Sequence, residues 1–396
     1  SGHYGLVTGD WRASSMASST HEHQLRHLPT PYGTTSAPPP TPNNNNLLSS
    51  SESADSLSRL LHRIPPTLSL SFPGRRLQQS PPSTTISPPL ISLSDPKTAL
   101  HSDLLSAAKQ NGLFQLTQHP ISSHLAQSAE SESLSIFNLT DDEKQSRFPK
   151  NNWPLGFDND DEDVGQSFCL DSSMDELGFT SLRELTCQME KLGLEVIQEL
   201  ACAVGFENPV SERFCSLMWI AESESNRPLS LGRLYPFIVG LTYQIRRRKY
   251  SILADSGWVS VSPQIDSVMV TLGDIAQVWS NGKVKKVRGR PVPITSNDAV
   301  ENNSQCVSMT LLVTLAHDNT STIVSPLLPI KSPSIGTHVL NEEDDDNDVS
   351  RINIEAVDEE ERGMFNSFSF EDYAWRVYHE PCLDLLKDPL ARYRAT

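Results

Sequence analysis

The spacing of apolar positions changes character along the chain, and each change marks a boundary. Up to about residue 88 the apolar residues are sparse and scattered among Ser, Pro, Thr and Asn, as in "SAPPPTPNNNNLLSSSES". Such a stretch has too little apolar area to offset the entropy of ordering, so 1–88 is expected to be a disordered tail. One helical pattern interrupts it: Leu57, Leu60, Leu61 and Ile64 recur at helical spacing and predict a short helix near 54–64.

From Pro89 the pattern tightens. "PLISLSD" reads as a strand, and Asp95 with Pro96 as the start of a helix whose Leu100, Leu104, Ala107 and Ala108 share a face until Asn111-Gly112 ends it. "LFQLTQ" returns as a strand, and Thr140 with Glu143 predicts a capping box. Leu182, Leu185, Met189, Leu192, Val196 and Leu200 then fall on one face, predicting a long amphipathic helix over 180–204 closed by Gly205. Helices are expected to dominate 89–225.

After that the period shortens. "LGRLYPFIVGLTYQI", "KYSILAD", "GWVSVSP", "SVMVTLGDIAQVWSNG", "KVKKVRG" and "CVSMTLLVTLA" are β-branched runs broken by Gly, Pro, Asn and Asp. They predict an antiparallel jelly-roll core over 226–330, braced by the long helix. The fold class is therefore mixed α and β, a double-stranded β-helix preceded by helices. Residues 331–363 contain "NEEDDDNDV" and "DEEE" and read as an acidic mobile loop; a calcium site there lacks both the turn glycine and the ligand spacing. Residues 364–396 read as a C-terminal helical segment.

Composition adds limits. Cys169, Cys187, Cys202, Cys215, Cys306 and Cys382 form no CxxC pair, which argues for reduced thiols in a cytoplasmic protein rather than disulfides or zinc. The Ser-rich stretch after Met16 faintly resembles a chloroplast transit peptide, although Glu52 and Asp55 weaken that reading. No apolar run is long enough to span a membrane.

The order of motifs resembles a known family. "PLISLSD", "LFQLTQHPI" and "FNLTDDEK", followed by "RLYP", "GWVSVSP" and "VTLGDIAQVWSNGKVKKVRGR", are similar to the successive motifs of plant 2-oxoglutarate and Fe(II)-dependent dioxygenases of the isopenicillin N synthase type. The resemblance runs from about 89 to 330 and returns at "FEDY". It implies a jelly roll holding Fe(II) between two histidines and one carboxylate, with an Arg-x-Ser pair for the far carboxylate of 2-oxoglutarate.

Residue by residue, those motifs are degenerate. Matching the family's Gly-Leu-x-x-His-x-Asp to Gly240–Arg246 puts its histidine on Gln244 and its carboxylate on Arg246. Ser280-Asn281-Gly282 puts the distal histidine on Gly289, and the Arg-x-Ser pair becomes Cys306 and Ser308. A neutral amide is a weak metal donor, glycine has no donor, and arginine keeps its charge and repels a dication. The expectation is thus a non-catalytic homologue acting as a binding or regulatory protein, with neither Fe(II) nor 2-oxoglutarate as cofactor. The alternative is an active dioxygenase with a rearranged site, for which His317, Asp255 and Asp266 are the available donors.

Charge suggests what would replace the metal. Residues 246–290 hold nine Lys or Arg against three Asp, a balance of +6 in a chain of formal net charge −17. Arg246, Arg248, Lys285, Arg288 and Arg290 are therefore candidates for a cationic pocket binding an anionic small molecule or an acidic peptide. Internal salt bridges are the competing explanation for the same residues. Nucleic acid is disfavoured, because few aromatics interleave the cations and the whole chain repels phosphate.

Overall fold

A computed structural model describes residues 85–150, 153–159, 165–171, 178–207, 209, 213–223, 232–294, 306–317, 322–327, 364–380 and 387–395. The helix expected near 54–64 and the acidic segment at 341–361 lie outside the described residues. The tail boundary shifts slightly. Thr85–Ile86 already form a strand, β1, which pairs in parallel with Ser260 and Val261.

The first part builds the support. Strand β2 (Leu90–Ser92) leads to helix α1 (Lys97–Gln110), which buries Leu100, Leu104, Ala107 and Ala108. Pro96 rather than Asp95 occupies the cap position, and no side chain bonds there; the proline ring itself presets the entry. Gly112 ends the turn with φ +67°, and a Cβ there would lie 2.3 Å from the Lys285 carbonyl oxygen, so both its conformation and its neighbour require glycine. Strand β3 (Leu113–Thr117), α2 (Ser123–Phe137) and α3 (Asp141–Arg147) follow, with the Thr140–Glu143 capping box in place.

Three strands then lie in the region expected to be helical: β4 (Gly156–Asp158), β5 (Ser167–Asp171) and β6 (Phe214–Ser223). The run "FCSLMWIA" lacks a two-residue alternation to read because both faces of β6 are covered, with Ser216 to Ile220 buried in succession. Between β5 and β6 the predicted long helix, α4 (Thr180–Val204), ends at Gly205 in the left-handed conformation.

The roll itself consists of β7 (Val239–Tyr243), β8 (Lys249–Ala254), β9 (Gly257–Val261), β10 (Val268–Leu272), helix α5 (Asp274–Trp279), β11 (Val287–Ile294) and β12 (Cys306–Leu315). "GDIAQVW" is this short buried helix and not a continuation of the strand. An eight-stranded sheet has the order β2-β3-β10-β7-β12-β6-β5-β4, and a four-stranded sheet the order β1-β9-β8-β11.

Helix α4 packs on one face of the larger sheet. A Cβ on Gly193 would come within 2.7 Å of Val313 and 3.1 Å of Leu241, so the glycine lets the helix approach β7 and β12 closely. On the opposite face the hydroxyls of Thr242 and Thr310 share a 3.0 Å hydrogen bond.

The chain closes with β13 (Ile323–Val324) pairing β14 (Phe368–Ser369), then α6 (Phe370–His379) and a 3-10 turn over Pro389–Tyr393. Phe368, Tyr373 and Tyr393 pack ring to ring, with centroids 4.3 to 5.6 Å apart. Among the described residues no helix is long and apolar enough to cross a membrane.

Candidate functional site

Strand β11 carries the position that Ser280-Asn281-Gly282 fixes most firmly. Gly289 adopts φ +71°, and the pairing of β11 with β8 shifts register between Arg288 and Val292. The kink sends Arg290 inward. Its guanidinium stacks 3.9 Å from the Trp219 ring centre on β6, and Nη1 donates to the Arg233 carbonyl at 3.0 Å. Burial lowers its pKa to about 10, which still leaves it charged at neutral pH.

The surroundings of Arg290 come from several elements. Arg233 donates through Nε to Asp158 Oδ2 at 2.9 Å and lies 5.1 Å from the Tyr378 ring centre. Lys150 bonds the other Asp158 oxygen at 3.0 Å. Tyr235 is buried, and burial pushes its phenol far above the usual range. Cys169 is also buried, and its thiol is pushed up for the same reason. The sequence reading missed Arg233, Tyr235, Trp219 and Asp158 as a group; "RLYP" was the available signal, because it carries two of them.

Gln244 and Arg246 have other partners. Gln244 is 1% exposed, donates to the Thr242 carbonyl at 3.2 Å and leaves its own Oε1 without a hydrogen bond among the described residues. Arg246 turns to α2, where its guanidinium grips both carboxylate oxygens of buried Glu130, with Nη2 to Oε2 at 2.5 Å. Arg246 and Arg248 line one groove with Glu130, Thr242, Tyr250 and Ser308, against an apolar wall from α4 and β12. The groove is shallow and open, and encloses about 20 Å³, room for about one water molecule. Burial raises the Tyr250 phenol, so it stays neutral at the groove floor.

The five candidate cations therefore do not share one cavity. Lys285 is exposed, and its backbone N–H bonds the end of α1 through Ala108 at 2.9 Å. Arg288 is half-buried and contributes to the positive field that acts on Asp388. Arg290 belongs to the Trp219 cluster. Of the five, Arg246 and Arg248 meet in the groove, which Ser308 also lines.

The other donors considered for a rebuilt metal site are engaged in turns and packing. Asp255 accepts from Gln277 and from the Lys286 backbone, while Asp266 accepts from Tyr243 at 3.0 Å. His119 bonds the Asp266 carbonyl, and His317 stands edge-on to Trp153 with Glu371 3.9 Å away. Among the described residues no three His, Cys, Asp or Glu side chains group as metal ligands. The donors at Gln244, Arg246 and Gly289 do not fit a dication either. One is a neutral amide, one a guanidinium already bound to Glu130, and one has no side chain.

A jelly roll of two sheets, entered through a long helix that packs on the larger one, defines a double-stranded β-helix protein of the oxygenase type. The model of the family "non-haem dioxygenase in morphine synthesis N-terminal" matches residues 88–173. Gibberellin 2-beta-dioxygenase 1 of Pisum sativum is 24% identical over 239 residues, which cover 51% of this chain and 71% of that protein. Oxoglutarate-dependent flavonoid 7-O-demethylase 1 of Ocimum basilicum is 26% identical over 259 residues, covering 54% and 68%.

In fold, the chain is similar to the crystal structure of JOX2 in complex with 2OG, Fe and JA. The TM-score is 0.58 at 14% identity, covering 81% of this chain and 95% of that one. It is also similar to a rice dioxygenase for auxin oxidation, with a TM-score of 0.53 at 17% identity, covering 78% and 100%. In sequence over 88–173 and in fold, the chain resembles the 2-oxoglutarate and Fe(II)-dependent dioxygenase superfamily.

Proposed function

We propose that this chain is a non-catalytic member of its superfamily and works as a binding or regulatory protein. The observation that carries the reading is Gly289, which offers no side chain at the position of the family's distal histidine, while Arg290 beside it matches the arginine that follows that histidine in the family. A guanidinium at Arg246, where the family has its carboxylate, repels a dication by several kcal/mol, even at an effective dielectric near 20.

The reading does not depend on how the first motif is aligned. Gln244 and Arg246 offer an amide and a guanidinium. Arg233, whose carbonyl accepts from Arg290, and Tyr235 have the same one-residue separation as the family's His-x-Asp, and offer a guanidinium and a phenol that burial keeps protonated. Neither pair supplies an imidazole or a carboxylate. The groove holding Arg246 and Arg248 then serves a small anionic ligand without a metal.

The test is metal analysis of purified protein incubated anaerobically with Fe(II), together with an assay for succinate from 2-oxoglutarate. Substoichiometric iron and no succinate are expected. Stoichiometric iron with 2-oxoglutarate turnover would instead establish an active dioxygenase with a rearranged site.

A further inference from the structure

Each cation that the described residues bury outright has a carboxylate beside it. Lys144 lies 3.5 Å from Asp141, Arg376 3.5 Å from Glu380, and Lys286 3.0 Å from Asp274. Half-buried Arg290 breaks that rule. Its guanidinium rests on the Trp219 ring and gives one N–H to the Arg233 carbonyl, and among the described residues it forms no ion pair. Asp158, the carboxylate whose charge reaches Arg290, already accepts from Arg233 at 2.9 Å and from Lys150 at 3.0 Å. A partly desolvated cation left in this way draws an anion from solution.

The donors around it also lack acceptors. Nε and Nη2 of Arg290 have no hydrogen bond among the described residues, and neither is sealed from solvent. Beneath them the Nε1–H of buried Trp219 has no acceptor there either. The Tyr378 phenol, on α6, lies close enough to Arg290 for each to act on the other's ionisation. Burial keeps that phenol protonated, and its O–H has no hydrogen-bond partner among the described residues. We infer that Arg290 binds a compact monoanion, of the size and charge of chloride, between β11 and the Tyr378 hydroxyl of α6. The anion accepts from the guanidinium and the phenol, and supplies the countercharge that the fold withholds. An ion that takes the place of one water needs no larger cavity. Its occupancy ties α6 to the roll. No residue that lines the groove at Arg246 and Arg248 belongs to this site, so the two stand apart.

The experiment follows the thermal midpoint of the full chain as sodium chloride replaces sodium gluconate at constant ionic strength, gluconate being too bulky for the place of one water. Chloride is expected to raise the midpoint saturably, by about 4 °C once it stands at about ten times its dissociation constant. Arg290→Met should abolish the rise. Tyr378→Phe, which deletes only the hydroxyl, should weaken chloride about fivefold or more. Arg248→Met, which removes a cation of the separate groove, should leave the rise unchanged and so exclude a general salt effect.

Any of three results overturns the inference: no rise over gluconate in the wild type, an equal rise in Arg290→Met, or a loss in Arg248→Met as large as that in Arg290→Met. If Arg290→Met proves misfolded by circular dichroism, Tyr378→Phe against Arg248→Met decides alone, and equal chloride responses in those two overturn the inference. Failure here leaves the iron and succinate measurements untouched, so the anion site and the non-catalytic reading fall separately.

Discussion

Lys286 and Arg290 bracket the same short stretch of β11, yet their surroundings differ in kind. Lys286 is 0% exposed and lies between two carboxylates, Asp274 Oδ1 at 3.0 Å and Asp388 Oδ1 at 2.5 Å. Asp274 also accepts from Tyr373 at 2.6 Å, so the lysine ties α5 to both C-terminal helical turns. Arg290 has a ring face and a backbone carbonyl instead, and the nearby Asp158 is bonded to Arg233 and Lys150. A buried cation between carboxylates is an architectural part. One that rests on a π face and a carbonyl has no countercharge of its own in direct contact among the described residues.

The largest effect expected from this contrast comes from Lys286→Met. Removing the cation leaves Asp274 with its Tyr373 hydrogen bond and Asp388 with the Leu390 N–H and the exposed Arg394, and should cost about 3 kcal/mol, read as a fall in the denaturant midpoint. The pH dependence sharpens the point. Burial alone would raise the Asp388 pKa, but the charge and hydrogen bond of Lys286 hold it below its ordinary value. A depressed carboxylate stabilises the fold above the unfolded pKa near about 3.9, and that contribution disappears as pH falls through the folded pKa. Wild-type protein should therefore lose stability toward acid through this group. Lys286→Met should reverse the trend locally, because protonation would relieve the stranded charges.

Arg290→Met should cost less, about 2 kcal/mol: a desolvated cation–π contact and one hydrogen bond to the Arg233 carbonyl, with no carboxylate left unpaired beside it. Thermal unfolding measures the loss, and Trp219 fluorescence reports the altered ring environment. A cost as large as that of Lys286→Met would erase the contrast and make Arg290 an architectural cation as well.

The sequence made the helical support and the jelly roll legible because their periods are clean. Leu182 to Leu200 sit on one face of α4, Gly205 closes it, and Thr140 with Glu143 caps α3. Strands β4 to β6 were not legible, since β6 is buried on both faces and its apolar run has no alternation. The site was half legible. Ser280-Asn281-Gly282 pointed to Gly289 and Arg290, which lie on β11; of the two readings of the cationic run, one pocket or internal salt bridges, Arg246 and Lys286 follow the second. The kink at Gly289 and the pull of Glu130, Asp274 and Asp388 divide it among separate partners, and those partners lie far away in sequence.

The smallest effect should come from Arg246→Ala, which tests the solvent-facing side of the same contrast. Arg246 holds Glu130 as Lys286 holds Asp388, but its side chain is 45% exposed while Glu130 is 7% exposed. Water and mobile ions can therefore take over much of the guanidinium's work once it is gone. The loss should be about 1 kcal/mol, as for other screened pairs. It should shrink further in about 1 M salt, where the screening length falls to about 3 Å. Denaturant midpoints of wild type and variant, compared at low and high salt, measure both quantities. A loss above about 3 kcal/mol that salt leaves unchanged would place Arg246 with Lys286 as a buried lock. It would also remove the exposed edge on which the groove depends.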